Sequence, residues 1–213
     1  MSDQKREKKK TPFTKTRTFP VLFMLIITFV FISITSGIFT ITRDTISLNE
    51  TLVLKRAVLS SAGIAVPKEG AQVENVYSQR VREKVKDGKV LYYEIMSLDS
   101  KKVESYVMIV EGPGLWGQIT AAVGYGPDLK VLTGIEIIDQ NETPGLGGRI
   151  TESWFKKQFR GKKPPLVSVP EGSKTTSGEF QAITGASYTT AGIRAIINDK
   201  TTATRELIRK EQT

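Results

Sequence analysis

The sequence predicts an α+β protein: a single N-terminal transmembrane helix followed by an extracytoplasmic antiparallel-sheet domain with a C-terminal helix packed on it. Three observations predict it. An uncharged apolar run, Val21 to Ile41, follows a basic tail. Runs rich in β-branched and aromatic residues, separated by turn residues, fill 89–138. The closing stretch from Tyr188 to Arg209 carries apolar residues at three- and four-residue spacing.

Composition narrows the function before any motif is considered. The chain has 213 residues, room for one sizeable domain and a further segment. Its formal charge of +9 is uneven, since Lys5, Arg6, Lys8, Lys9, Lys10, Lys15 and Arg17 face only Asp3 and Glu7 in the first eighteen residues. A nucleic-acid module would carry its basic footprint on a folded face, so nucleic acid is not an expected partner. Cysteine and histidine are absent. That excludes disulfides, thiolate clusters, zinc sites of the usual kind and His-dependent triads; hydrolase chemistry would need carboxylates, Lys or Tyr instead, and no metal-ligating or catalytic residue is singled out. Difficult chemistry would belong to a cofactor.

The sequence divides into a basic cytoplasmic tail over 1–18, a transmembrane anchor over 19–42, a juxtamembrane helical connector over 43–88 and a folded domain over 89–213. At about 1.5 Å per residue the run Val21–Ile41 reaches roughly 31 Å, the thickness of a bilayer's hydrocarbon core. Ser36-Gly37 offers the small residues of a signal-peptide cleavage site, but signal h-regions span about 7 to 15 residues. This run is longer and is bounded by Arg43 and Asp44, which favours a retained anchor. The Lys/Arg excess before the run places the N-terminus in the cytoplasm and the domain outside. Ile46–Leu59 reads as a helix ending at Gly63, Ala65–Val73 as a connector, and Val76–Lys86 as a short solvated helical turn.

From Lys89 the pattern becomes that of strands, over 90–96 and 103–110 with a turn at 99–102, then over 118–123 and 131–138 joined by Gly124-Tyr125-Gly126-Pro127-Asp128. Thr151–Gln158 reads as a short helix capped by Thr151, 165–169 as a strand and 170–180 as a polar loop. In the last helix Ile193, Ile196, Ile197, Thr204, Leu207 and Ile208 fall on one side, which should lie on the sheet.

Three short motifs carry the chemistry. Gly114-Leu115-Trp116-Gly117 starts a strand, Glu142-Thr143-Pro144-Gly145-Leu146-Gly147 follows one, and Thr184-Gly185-Ala186-Ser187 opens the last helix. A helix start points N–H groups and a positive dipole end outward, so an anion such as phosphate suits it. Taken alone, Thr184 or Ser187 reads as a helix cap, and the glycine loop is equally turn punctuation.

In order and spacing behind one membrane span, the three motifs resemble the FMN-binding domain of the C subunit of sodium-translocating NADH:quinone reductases (Nqr) and of the G subunit of Rnf electron-transport complexes. The similarity runs over about 89–197. In that family a hydroxyl residue ending a Ser/Thr-Gly-Ala-Thr/Ser motif carries FMN through a phosphoester, installed by a separate flavin transferase from FAD. The resemblance implies Ser187 as the acceptor here. It also implies that Glu142, Thr143, Gly145, Leu146 and Gly147 line the isoalloxazine side, and that Thr184, Gly185, Ala186 and Thr189 surround the phosphate. Trp116 suits the core and the site equally. Two positions depart from the family pattern: Gln181 stands where Asp is usual, and Gln140-Asn141 where a His is usual.

The resemblance therefore implies a membrane-anchored, FMN-carrying electron-transfer subunit without independent catalysis, in an ion-translocating Nqr- or Rnf-type complex of the bacterial inner membrane. Its partners would be the other membrane subunits and the flavin transferase. Two alternatives stand beside this: an extracytoplasmic flavoprotein holding FMN non-covalently, and a cofactor-free tethered interaction module.

Overall fold

The computed structural model describes residues 18–211. The basic tail assigned to 1–18 thus lies, apart from Thr18, outside the described residues. The chain forms two compact units, Met1–Asn49 and Glu50–Thr213, and each is described by itself.

Helix α1 spans Thr18–Ser61 and takes in both the apolar run and the helix read over Ile46–Leu59. Through the apolar run its side chains are exposed on all sides. The hydroxyls of Thr35, Thr40 and Thr42 donate to the carbonyls of Phe31, Ser36 and Ile38 one turn back, at 2.7, 2.9 and 2.8 Å. Each polar group is thereby satisfied inside the helix, as an apolar surrounding requires. Among the described residues α1 is one helix long and apolar enough to cross a membrane.

In the second unit the end of α1 is followed by α2 (Gly70–Arg80) and five strands: β1 (Val81–Lys86), β2 (Lys89–Met96), β3 (Val103–Pro113), β4 (Gln118–Tyr125) and β5 (Leu132–Asp139). They form one antiparallel sheet in sequence order. The solvated helical turn expected over Val76–Lys86 is instead the last turn of α2 running directly into β1. That strand was hidden because it is an edge: only Val81 is buried, and the rest, four charged residues and Val85, is exposed. Its hairpin signal, Asp87-Gly88 with positive φ at both residues, was present in the sequence.

Period-two alternation gives the sheet two buried faces. Tyr92, Tyr106, Val110, Ile119, Ala121 and Val123 belong to the core shared with the C-terminal helix α4 (Ser187–Glu211), through Ile193, Ile196, Ile197 and Ile208. Phe155, Phe159 and Phe180 extend this core with rings 5.0 to 6.2 Å apart. Tyr93, Ile95, Val107 and Ala122 face the other way, onto Ala57, Val58 and Leu59 of α1 and Val73 and Tyr77 of α2. The sequence foresaw the α4 side; the α1–α2 side is an addition. There, cross-strand partners Gly124 and Gly134 make room for the last turn of α1. A Cβ on Gly124 would lie 2.2 Å from the Ser61 carbonyl oxygen, which accepts the Thr133 hydroxyl at 2.7 Å.

Beyond β5, the helix expected over Thr151–Gln158 is a 3₁₀ turn, Gly147–Thr151, followed by α3, Ser153–Lys157, with Glu152 between them. Thr151 does not cap α3, because its hydroxyl donates back to Gly148 O at 2.9 Å. Strand β6 (Val167–Val169) is where a strand was expected. Its parallel partner β7 (Glu179–Gln181) begins in what was read as polar loop. It was missed because three residues carry too little alternation to read.

Candidate functional site

The three motifs converge at the start of α4, and Glu142 fastens them. Its carboxylate is 5% exposed. One oxygen accepts the N–H groups of Leu115 and Trp116 at 2.8 and 3.0 Å, and the other accepts the Thr189 hydroxyl. A buried carboxylate is stable when its lone pairs are met in this way. Gln140 holds the Glu142 N–H through its side-chain oxygen at 2.6 Å. The first loop, the second loop and the first turn of α4 are thereby one hydrogen-bonded assembly.

Two glycines in this assembly are there for space. A Cβ on Gly114 would lie 2.4 Å from Glu142 Oε1, and one on Gly147 would lie 2.5 Å from Thr189 Oγ1 and 2.7 Å from Glu142 Oε2. The second loop is closed on itself, since the Thr143 carbonyl accepts from Leu146 N at 3.1 Å and Gly148 N at 3.0 Å, with Gly145 at φ +75. A cavity of ≈ 310 Å³ opens on this loop, bordered by Glu142, Pro144, Gly145, Gly148 and Arg149.

The third loop leaves β7 and turns at Gly185, φ +79, into α4. The Ile183 N–H reaches forward to Thr190 Oγ1 at 3.2 Å. Thr190 N bonds to Ala186 O at 3.0 Å. The N–H groups of Ser187, Tyr188 and Thr189 precede it and have no acceptor inside the helix. Ser187 is exposed at the first helical position. On the three loops Leu115, Leu146, Trp116 (68% exposed) and Tyr188 (75% exposed) are exposed large apolar residues. Leu146 reaches toward the acceptor loop, its Cδ2 3.1 Å from where a Gly185 Cβ would be.

The ten residues named from sequence are therefore neighbours in space but divide by role. Thr143, Gly145, Leu146, Thr184, Gly185 and Ser187 are on the surface of the assembly, where a ligand could meet them. Glu142, Gly147, Ala186 and Thr189 are buried beneath it. Trp116, which suited core and site equally, is not core. Sequence reading missed Arg149 and Glu171. The Glu171 carboxylate accepts Arg149 Nη2 and Nη1 at 2.8 and 3.2 Å and the Thr184 N–H at 2.9 Å. Those contacts, the Arg149 pair first, hold the Glu171 carboxyl at about 2, well below its ordinary range. Glu171 lay in a polar loop with no pattern around it, so no sequence signal marked it.

The donor set fits the phosphate end of a flavin nucleotide: N–H groups with no acceptor inside the helix at the start of α4, a hydroxyl among them, and exposed Tyr188 and Leu146 next to them for a flat ring. The fold and site thus define a class, a small α+β domain in which two glycine loops meet the first turn of the last helix.

Comparison with known proteins agrees. The FMN-binding domain family matches residues 114–201. Over 161 residues the chain is 32% identical to the G subunit of the Na(+)-translocating ferredoxin:NAD(+) oxidoreductase complex of Acetobacterium woodii, covering 74% of this chain and 75% of that protein. The G subunit of the proton-translocating ferredoxin:NAD(+) oxidoreductase complex of Clostridium ljungdahlii is 36% identical over 48% of this chain and 57% of its own length. The C subunit of the Na(+)-translocating NADH-quinone reductase of Vibrio anguillarum is 31% identical over 44% and 40%. In these last two the match spans less than two thirds of the relative. Among solved structures, the C subunit of the Na(+)-translocating NADH-quinone reductase of Parabacteroides distasonis has the same fold, with TM-score 0.62 and 22% identity over 74% of this chain and 92% of that one. The chain belongs to the family of FMN-binding subunits that includes the Rnf G and Nqr C proteins.

Proposed function

We propose that this chain is a membrane-anchored electron-transfer subunit of an ion-translocating Nqr- or Rnf-type complex, with FMN joined to Ser187 through a phosphoester. The observation that carries the reading is the exposed Ser187 hydroxyl at the start of α4, flanked by unmatched N–H groups and set between two glycine loops that Glu142 ties to the same turn. Bound FMN would supply one-electron transfer.

The chain's own residues do the rest. In attachment Ser187 Oγ forms the bond to the flavin-side phosphorus of FAD, the pyrophosphate link breaks, AMP leaves and the hydroxyl proton is released. The Ser187, Tyr188 and Thr189 N–H groups and the helix dipole stabilise the phosphate charge. Leu146, Thr143 and Gly145 would border the ring, while Thr184, Gly185 and Ala186 shape the phosphate end. Glu142, Gly147 and Thr189 fix the distance between the two loops. The apolar part of α1 would span the inner membrane with the N-terminus in the cytoplasm, and the tether would keep the domain at high effective concentration near the partner subunits. A separate flavin transferase would act on the outer side.

The test is co-expression of the full chain with a flavin transferase, followed by a denaturing gel viewed under ultraviolet light. A fluorescent band that disappears in Ser187→Ala is the expected result. A dark wild-type band from yellow native protein would replace the phosphoester with non-covalent FMN, and colourless protein would remove the flavin altogether.

A further inference from the structure

The turn over 170–173 stands outside the three motifs, yet its hydrogen bonds run into two of them. Glu171 joins the Thr184 N–H at 2.9 Å to the Arg149 guanidinium at 2.8 and 3.2 Å. Arg149 belongs to the 3₁₀ turn that ends the second loop, and its guanidinium lies over the Trp154 ring at 5.2 Å. Glu152 approaches the same guanidinium at 3.6 Å.

The turn itself is set by Gln181, the last residue of β7. Its side-chain oxygen accepts Gly172 N at 3.0 Å and its side-chain nitrogen donates to Ser173 O at 2.8 Å. Only an amide offers a donor and an acceptor at these two places; a carboxylate would set one acceptor against the Ser173 carbonyl. The Gln181 backbone is held on both sides by Gln158, which accepts from its N–H at 2.7 Å and donates to its carbonyl at 3.1 Å. Glu171 is thus aimed by a chain of bonds that begins on α3's flank and ends on the first residue of the Thr184–Ser187 loop. The bond also occupies the Thr184 N–H, so that donor is not available to a ligand.

We propose that Glu171, aimed by the Gln181 amide and paired with Arg149, is a positioning residue that fixes the Thr184–Ser187 loop in the conformation that accepts flavin. This rests on the reading of Ser187 as the acceptor. Arg149 neutralises the carboxylate, so that its charge does not oppose the phosphate beside it. Glu171 touches neither Ser187 nor the reacting phosphorus; it acts through the Thr184 backbone.

The experiment has two readouts on the full chain in detergent. Amide hydrogen exchange is followed at Thr184 and Gly185 in protein made without the transferase. Flavin attachment is timed separately by in-gel fluorescence after transferase and FAD are added. Glu171→Ala should raise Thr184 exchange by about tenfold or more, the loss of one charge-assisted hydrogen bond, and slow attachment by a similar factor. Glu171→Gln keeps an acceptor for Thr184 and should fall between alanine and wild type. Gln181→Glu, which alters one hydrogen bond of the turn, should loosen the same two amides while those of β3 and β4 keep wild-type protection. Unchanged Thr184 exchange in Glu171→Ala, or faster exchange with an unchanged attachment rate, overturns the proposal. If wild type takes up no flavin, the Ser187 reading fails. Exchange then decides whether the brace exists, and wild-type protection in Glu171→Ala sinks that too.

Discussion

Replacing Glu142 should separate the three loops, and its cost can be worked out from the bonds it makes. In Glu142→Ala the Thr189 hydroxyl, 1% exposed, loses its acceptor. Leaving one such group unsatisfied costs about 1–3 kcal/mol. The Leu115 and Trp116 N–H groups lose the same carboxylate, but their residues are exposed enough for water to replace part of it. Together these give about 2–4 kcal/mol. In a unit of this size each kcal/mol moves the midpoint by about 2–4 °C, so a fall of roughly 5–15 °C is expected. Glu142→Gln keeps one oxygen for the two N–H groups and turns an amide toward Thr189, whose hydroxyl must then accept. It loses only the charge assistance, about 1–2 kcal/mol. Thermal unfolding of the purified full chain, followed by near-ultraviolet circular dichroism, measures both. A double-mutant cycle with Thr189→Val should show coupling of about 1–2 kcal/mol. Glu142→Ala and Glu142→Gln both within about 0.5 kcal/mol of wild type would refute the argument, since that is the behaviour of an ordinary surface residue.

Gly124→Ala would set a Cβ 2.2 Å from the Ser61 carbonyl oxygen and from Thr133 Oγ1. Overpacking of this kind costs about 1–3 kcal/mol, whereas Gly88→Ala, in an open hairpin, should cost only its backbone strain; equal melting points for Gly124→Ala and wild type would contradict the docking of α1's last turn. Glu171 has its carboxyl lowered from 4.5 to about 2, chiefly by Arg149. A lowered folded value contributes stability that is complete above about pH 4.5 and is lost as the pH falls through about 2. The melting-point gap between wild type and Glu171→Gln should therefore be constant above pH 5 and close toward pH 2, and a gap independent of pH across that window would rule out the ion pair as its source. Because the chain has no cysteine, single-cysteine variants report its topology. Ser100→Cys, in an exposed turn, should react with an impermeant maleimide on intact cells, and Ser2→Cys only after permeabilisation; the reverse pattern would invert the proposed orientation.

What was legible in the sequence is what rests on local or periodic signals. The apolar run of α1, the alternation of β2 to β5, the stripe of isoleucines on α4 and the glycine spacing of the three motifs each depend on residues near one another in the chain. These gave the α+β class, the long apolar helix and ten candidate residues that the fold brings together. Edge strand β1 and three-residue β7 escaped because one buried side chain, or three residues, is too short a period to read.

The tertiary structure decided the roles. Glu142 and Thr189 were expected against the ligand; folded, they are 47 positions apart in sequence and spend their polar atoms on each other and on Leu115 and Trp116. No sequence pattern encodes that pairing, because it depends on where the β5 loop meets the start of α4. Gln181, an anomaly in the motif's pattern, became the amide that shapes the turn carrying Glu171. Sequence by itself placed a hydroxyl, Ser187, at the start of a helix, since that is a local property. Only the fold could determine what holds that residue in place, because hydrogen bonds between distant loops exist after the chain has closed on itself and not before.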